Sequence, residues 1–174
     1  MAGFSDLSAG DKLLIVSLPY RVGIWISNSD DNENTKYDDN IELKELEATL
    51  SRLSVQTKQK FAGNIAKQTV NAKKLWRDWY GKSDEASVLE DLSNVLAGAA
   101  DKISPEHLSE YKKMLWHIAL SVASSFGEHI DPDHEMHMDR LVGKLFGGKH
   151  KKSKENVSDT EKVALKKLQA VLKA

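Results

Sequence analysis

Carboxylate side chains gather in two short stretches of this sequence, one near residue 30 and one near residue 130. Their members are Asp30, Asp31, Asp38, Asp39 and Glu42 in the first stretch and Glu128, Asp131, Asp133 and Glu135 in the second. Hard divalent cations such as Ca²⁺ and Mg²⁺ require several oxygen ligands around one point. The two stretches therefore predict a divalent-cation site. The alternative is that they are solvated turns and helix N-termini, where the helix dipole favours acids.

The first acidic stretch does not match the twelve-residue calcium-binding loop. Counted from Asp31, position twelve is Glu42, but position six is Lys36, where that loop needs a glycine for its sharp turn. Any cation bound there would be held in a different geometry.

Histidines offer a second kind of metal site. His134 and His137 are three residues apart, so on a helix they share a face, and His129 and Glu135 lie close in sequence. Imidazole suits Zn²⁺ or Ni²⁺. The spacing is not that of the two-histidine metalloprotease motif, and three histidines near one turn are more often surface residues than ligands.

Motifs that would carry catalysis are missing from the sequence. It has no cysteine, no Gly-x-Ser-x-Gly elbow and no glycine-rich phosphate loop. A hydrolase that uses a metal-bound water would need an open coordination position and a pocket. We therefore predict a non-enzymatic protein.

Composition indicates one ordinary globular domain. The 174 residues are enough for a core without disulfides, and the formal net charge of −1 predicts no general attraction to nucleic acid or anionic membranes. The chain starts without a basic segment before an apolar one, and the apolar run after Leu13 is broken by Pro19 and Arg21. We predict a cytoplasmic protein that is not an integral membrane protein and does not bind nucleic acid.

Hydrophobic spacing predicts an all-α fold of about seven helices. Leu14, Leu18, Val22 and Ile26 recur every four residues, which indicates a helix face. A buried strand is the alternative for this run, but Pro19 disfavours it and predicts a kinked helix. The predicted order is a helix from Ser8, a loop at 28–40, helices at 43–53, 55–79, 88–99 and 105–126, a helix to about Phe146, and a last helix from Ser158.

The sequence also repeats a pattern at a constant offset. The run from Lys12 to Asp30 parallels the run from Lys113 to Asp131 in hydrophobic character, each being an apolar helix that leads into an acidic turn. Related halves usually pack face to face, which would bring the two acidic turns together. We predict one compact domain over 1–174, with related segments at about 11–53 and 108–174.

Residues 122–135, Val-Ala-Ser-Ser-Phe-Gly-Glu-His-Ile-Asp-Pro-Asp-His-Glu, resemble the acidic turn of the tellurite-resistance TerB-like family. In that family an Ala/Ser-rich helix ends in Gly-Glu, followed by Asp and by a helix that starts with Glu. The resemblance implies an all-helical, internally duplicated protein of stress responses, with a divalent-metal site at its acidic turns. The first half departs from the pattern, because Ile26-Ser27 replaces Gly-Glu.

Together these observations predict a metal site with carboxylate ligands from both halves. The predicted ligands are Glu128, Asp131 and Asp30, followed by Glu135 and Asp31. Ca²⁺ or Mg²⁺ is expected rather than Zn²⁺, because the donors are hard oxygens. The ion would lock the halves together.

Two surface features suggest a partner protein instead. The first is a basic stretch, formed by Lys144, Lys149, His150, Lys151, Lys152 and Lys154. This stretch is predicted to contact an anion, a membrane surface or the acidic loop of another copy, or else to be a solvated connection. The second is Trp76, Trp79 and Tyr80 beside Lys73, Lys74 and Arg77, residue types that anchor interfaces but that at helical spacing are more often core. The alternative function is thus a metal-free interaction module that docks through this aromatic and basic face.

Overall fold

The computed structural model describes residues 3–29, 36–56, 60–124 and 158–174, and within these ranges it contains helices and no strand. The all-α prediction is confirmed. Seven α-helices and two 3-10 helices occupy the described ranges. They are a 3-10 helix Phe4–Asp6, α1 Ala9–Asn28, α2 Lys36–Gln56, α3 Lys60–Asn71, a 3-10 helix Lys73–Leu75, α4 Trp76–Tyr80, α5 Glu85–Ala99, α6 Pro105–Ala123 and α7 Asp159–Lys173.

Three helices begin at the caps that the sequence predicts. The hydroxyls of Ser8 and Ser104 each accept a hydrogen bond from the backbone N–H three residues further on, at 3.1 and 3.2 Å, and Pro105 takes the first position of α6. At the start of α7, Ser158 and Glu161 form a capping box. These bonds satisfy backbone N–H groups that have no acceptor inside their helix.

The region 55–79 is divided, whereas the sequence predicts one long helical pattern. The end of α2 extends into it, α3 follows, and the chain turns at Ala72 before α4. The turn has a tertiary cause. It lets the indole N–H of Trp76 donate to the carbonyl of Thr69 at 3.0 Å, and it stacks the Trp76 ring on Tyr20 of α1, with 4.6 Å between centroids.

Helix α2 begins earlier than predicted, inside the expected loop at 28–40. Its first residue is Lys36. Once a helix is nucleated, each further residue adds one hydrogen bond at little cost, which explains the extension. Of the predicted apolar face, Leu46, Leu50 and Leu53 are buried, while Leu43 is exposed.

Helix α1 lies at the centre of the described fold. All residues from Ile15 to Ser27 are buried, because α2, α3, α4, α5, α6 and α7 pack around the helix. The sequence predicted a helix with one apolar face, and a helix surrounded by others buries every face. The strand alternative for this run is wrong. Across the described residues we find no helix with both the length and the apolar character needed to cross a membrane.

Neighbouring helices compensate for the proline inside α1. Pro19 has no N–H, so it cannot bond to the carbonyl of Ile15 four residues earlier. The hydroxyl of Tyr111, on α6, donates to that carbonyl at 2.9 Å, and the hydroxyl of Thr69, on α3, donates to the carbonyl of Val16 at 2.7 Å. Helices α3 and α6 are therefore hydrogen-bonded to α1 at the position where the proline interrupts its backbone hydrogen bonding.

Helices α1 and α6 run in the same direction. Lys102, just before α6, lies 3.9 Å from Asp11 in the first turn of α1. The ring of Phe61 contacts both Phe4, just before α1, and His107, in the first turn of α6. The two helices are 20 and 19 residues long and pack along each other. Both helices are therefore directed toward the opposite end of the bundle.

The close approach of α1 and α2 depends on Gly23. A Cβ at this position would lie 2.4 Å from Cδ1 of Leu46, which is buried. Gly23→Ala is expected to lower the free energy of unfolding by about 1 kcal/mol, because overpacking of about 1–3 kcal/mol exceeds the gain of about 1 kcal/mol in helix propensity. Urea unfolding measures the change.

The matched control is Gly98→Ala in α5, where no atom lies within 4 Å of the added Cβ. This variant is expected to keep or raise the stability. A Gly23→Ala protein as stable as the Gly98→Ala protein would contradict the tight contact between α1 and α2.

Candidate functional site

The five predicted metal ligands lie outside the described residues. They are Glu128, Asp131, Asp30, Glu135 and Asp31. The three histidines of the alternative metal site and the basic stretch at 144–154 lie outside as well. Within the described ranges, no group of three or more His, Asp or Glu side chains is placed to hold a metal ion. The metal site therefore stays a prediction.

The described helices do determine where the two acidic stretches leave the bundle. Helix α1 ends at Asn28, two residues before Asp30, and α6 ends at Ala123, five residues before Glu128. Because α1 and α6 run side by side in one direction, both exits lie at the same end of the bundle. This arrangement supports the expectation that the two turns are neighbours.

A cleft of about 720 Å³ opens at this same end. Its walls are the C-terminal turn of α1, the connection from α4 to α5, and the first turns of α7. The lining includes Trp25, Ser29, Tyr80, Asp84, Asp159 and Val163. The volume is within the range of small-molecule pockets, about 300–1,000 Å³.

Carboxylates on the rim of the cleft already have partners. Asp84 accepts a hydrogen bond from the backbone N–H of Ser87 at 2.9 Å and caps α5. Hydrogen bonding to Ser87, first through its side chain and then through its backbone, lowers the pKa of Asp84. Glu85 accepts from Lys167 at 2.5 Å, and Asp159 lies 3.8 Å from a lysine of its own helix. The charge of Glu85 is therefore paired with a lysine, whereas Asp84 is bonded to neutral donors and keeps its negative charge on the rim.

The two tryptophans of the predicted docking face serve largely as core. Trp79 is buried, and its ring centroid lies 6.2 Å from that of Tyr20. Trp76 is half-buried between Tyr20 and the ammonium group of Lys73, which lies 5.4 Å from the Trp76 ring centroid. Burial, and to a smaller extent the neighbouring Tyr80, raises the pKa of Tyr20. The aromatic side chain that this face leaves to solvent is Tyr80, which is 51% exposed.

Basic side chains remain on the outside of α4. Seven Lys or Arg residues and one acid, Asp78, lie between residues 58 and 82. Lys73 pairs with Glu47 of α2, whereas Lys74 and Arg77 are exposed and make no ion pair with any described residue. Lys74 and Arg77 therefore give the outside of α4 a small net positive charge.

Arg21 is a structural residue that the sequence pattern did not reveal. It is 2% exposed, and its guanidinium donates to Asp91 at 2.7 Å and to the carbonyl of Lys82 at 2.9 and 2.6 Å. A usable signal was present, since Arg21 is the one charged residue between Lys12 and Asp30. A charge inside a buried helix must be paired, so the position of Arg21 predicts that it has a partner. The sequence pattern does not identify which residue that partner is.

Comparison with protein-family models, curated proteins and solved structures found no match to this chain. The resemblance of residues 122–135 to the TerB-like family therefore stays a prediction. The same holds for the relation between the segments at 11–53 and 108–174.

Proposed function

We propose that this chain is a non-enzymatic, TerB-like stress-response protein that binds a divalent cation where its two acidic turns meet. The observation that carries the proposal is the shared direction of α1 and α6, since each helix leads into one of the acidic stretches. We expect the protein to act in the cytoplasm, because a chain without cysteine suits a reducing compartment.

The proposed ligands are carboxylates from both turns. Glu128, Asp131 and Asp30 are the primary donors, with Glu135 and Asp31 as further donors. Oxygen donors of this kind favour Ca²⁺ or Mg²⁺ over Zn²⁺. An ion held by both turns would bind the native state and not the unfolded chain, and so would stabilise the fold.

A thermal melt of EDTA-treated protein tests the cation site. Adding the correct ion at about 100 times its Kd is expected to stabilise the fold by about 2.7 kcal/mol. For a chain of this size, that change corresponds to a rise in Tm of about 5–10 °C. Ca²⁺, Mg²⁺, Mn²⁺ and Zn²⁺ are titrated separately, and Glu128→Gln with Asp131→Asn is expected to remove the rise.

The control pair is Glu90→Gln with Asp101→Asn. It makes the same change of charge at exposed residues of the α5 region, and it is expected to keep the rise in Tm. If no ion raises Tm, or if both pairs lose the rise equally, the proposed site is wrong. A rise with Zn²⁺ alone that His134→Ala abolishes would assign the ion to the histidines instead.

Docking of a partner protein is a second candidate function. The observation that favours it is the exposed charge of Lys74 and Arg77, which pair with no acid among the described residues, next to the half-exposed ring of Tyr80. Trp76 and Trp79 would act in it as the scaffold that holds α4, because both pack against Tyr20.

A further inference from the structure

We infer that the surface of α4 is a docking site for an acidic segment of another protein. The α4 surface is defined by Lys73 and Lys74 of the 3-10 helix Lys73–Leu75 and by Arg77 and Tyr80 of α4. The inference rests on the second candidate function and names the class of partner that this surface would accept.

The charge of the α4 surface is complementary to that of an acidic segment. Lys74 and Arg77 are exposed, and no acid among the described residues pairs with either of them. Asp78 is the one carboxylate in the whole stretch from residue 58 to residue 82. Lys73 is paired with Glu47, so Lys74 and Arg77, less the charge of Asp78, give the α4 surface a small net positive charge in a chain whose formal net charge is −1. Carboxylates of a partner protein could pair with Lys74 and Arg77 without first breaking an ion pair with any described residue of this chain.

The backbone of α4 is held in place before any partner binds. Residues three and four apart on a helix share a face, so Arg77 lies between Lys73 or Lys74 on one side and Tyr80 on the other. The short α4 is held in place by the hydrogen bond from Trp76 to the carbonyl of Thr69 and by the stack of Trp76 on Tyr20. A guanidinium is planar and binds a carboxylate through two parallel hydrogen bonds, so Arg77 would lose less freedom per hydrogen bond than a lysine.

The side chains that the α4 surface exposes favour an acidic protein segment over nucleic acid or a membrane as its ligand. Single-stranded nucleic acid is bound by a series of rings that stack successive bases, whereas the α4 surface exposes Tyr80 and covers Trp79. Insertion of a helix into a membrane surface needs a broad apolar face, and α4 has five residues with Trp79 turned into the core. Arg and Tyr together are typical anchors of protein interfaces.

Fluorescence anisotropy with the full chain and three labelled probes tests the inference. The probes are an oligoglutamate peptide, an oligothymidylate of equal charge, and vesicles that contain phosphatidylserine. Saturable binding of the peptide that weakens as salt rises is expected. Lys74→Glu with Arg77→Glu is expected to raise the peptide Kd about tenfold or more, because it reverses the charge of both exposed cations.

The matched control is Lys44→Glu with Lys113→Glu, which reverses two exposed lysines on α2 and α6. It is expected to change the peptide Kd by less than about twofold. Equal Tm values for the two variant proteins would show that both remain folded. No saturable peptide binding, or equal weakening in both variants, overturns the inference.

The other probes separate this inference from the docking function. The oligothymidylate or the vesicles could bind more tightly than the peptide and lose this binding in Lys74→Glu with Arg77→Glu. In that case the α4 surface is a binding surface, but its ligand is not an acidic protein segment. If no probe depends on Lys74 and Arg77, the inference and the second candidate function both fail. Neither result bears on the cation site.

Discussion

Arg21→Met is expected to lower the free energy of unfolding by about 3 kcal/mol. The side chain is buried in α1 and joins it to the connection before α5 and to α5 itself. Removing the guanidinium leaves the Asp91 carboxylate and the carbonyl of Lys82 without their donor. The value lies at the low end for a broken buried pair, because Asp91 keeps 31% of its side-chain surface exposed.

Urea unfolding measures this loss, and Arg52→Met is the matched control. Arg52 forms an ion pair with Glu45 at 2.7 Å, but both side chains are partly exposed, so the same substitution is expected to cost about 0–1 kcal/mol. Similar losses for Arg21→Met and Arg52→Met would show that the buried pair adds nothing beyond a surface pair.

A double variant then separates the cost of leaving Asp91 unpaired from the cost of losing the ion pair itself. In Arg21→Met with Asp91→Leu no charge remains unpaired, so part of the lost stability is expected to return. The carbonyl of Lys82 still lacks its donor, so the recovery is expected to be incomplete. A double variant less stable than Arg21→Met alone would mean that Asp91 stabilises the fold independently of Arg21.

Tyr111→Phe is expected to lower the free energy of unfolding by about 2 kcal/mol, because it leaves the buried carbonyl of Ile15 without the donor that Pro19 cannot supply. In a Pro19→Ala background the N–H of residue 19 can bond to that carbonyl. There Tyr111→Phe is expected to cost about 1 kcal/mol less.

The control for this cycle is Tyr80→Phe, which removes a hydroxyl from a tyrosine that is 51% exposed. Its expected effect on stability is within about 0.5 kcal/mol. Equal costs of Tyr111→Phe in the proline and the alanine backgrounds would contradict the view that Tyr111 replaces the missing proline donor.

Alkaline pH provides a second readout of Tyr111. Burial raises the pKa of Tyr111 far above its ordinary value of 10.0, and nearby Arg21 opposes this only in part. Above that ordinary value the unfolded chain loses the phenolic proton while the folded protein keeps it, so stability falls as pH rises. Each such proton contributes a slope of about 1.4 kcal/mol per pH unit.

The stability advantage of the parent protein over Tyr111→Phe is therefore expected to be constant below about pH 10 and to shrink above it. Urea unfolding of both proteins between about pH 8 and pH 11 measures the difference. A difference that does not change with pH would mean that the Tyr111 hydroxyl is not kept protonated by burial.

Local signals in the sequence were sufficient to predict much of the helical framework. Ser8, Ser104 and Ser158 each begin a helix, because a hydroxyl at a helix start bonds to nearby backbone N–H groups whatever the rest of the fold does. The spacing of apolar residues likewise predicted that the run through Pro19 is a helix. These features depend on neighbours within a few residues, which the sequence displays directly.

The candidate site was less accessible to the same reasoning. The carboxylates near Asp30 and Asp131 can be recognised as possible cation donors, but their convergence depends on whether two distant helices end side by side. The spacing of Trp76 and Tyr80 likewise shows that aromatic residues share a helix, and it does not show which ring is covered by Tyr20.

By itself, the sequence determined the all-α class, the caps and the positions of the strongest helices, because these follow from contacts within one turn of the chain. Only the tertiary structure decided that Arg21 pairs with Asp91, that Tyr111 completes the hydrogen bond missing at Pro19, and that the chain turns at Ala72. Each of these depends on residues far apart in sequence, where a buried donor or ring must find its partner across helices, and no local spacing encodes that choice.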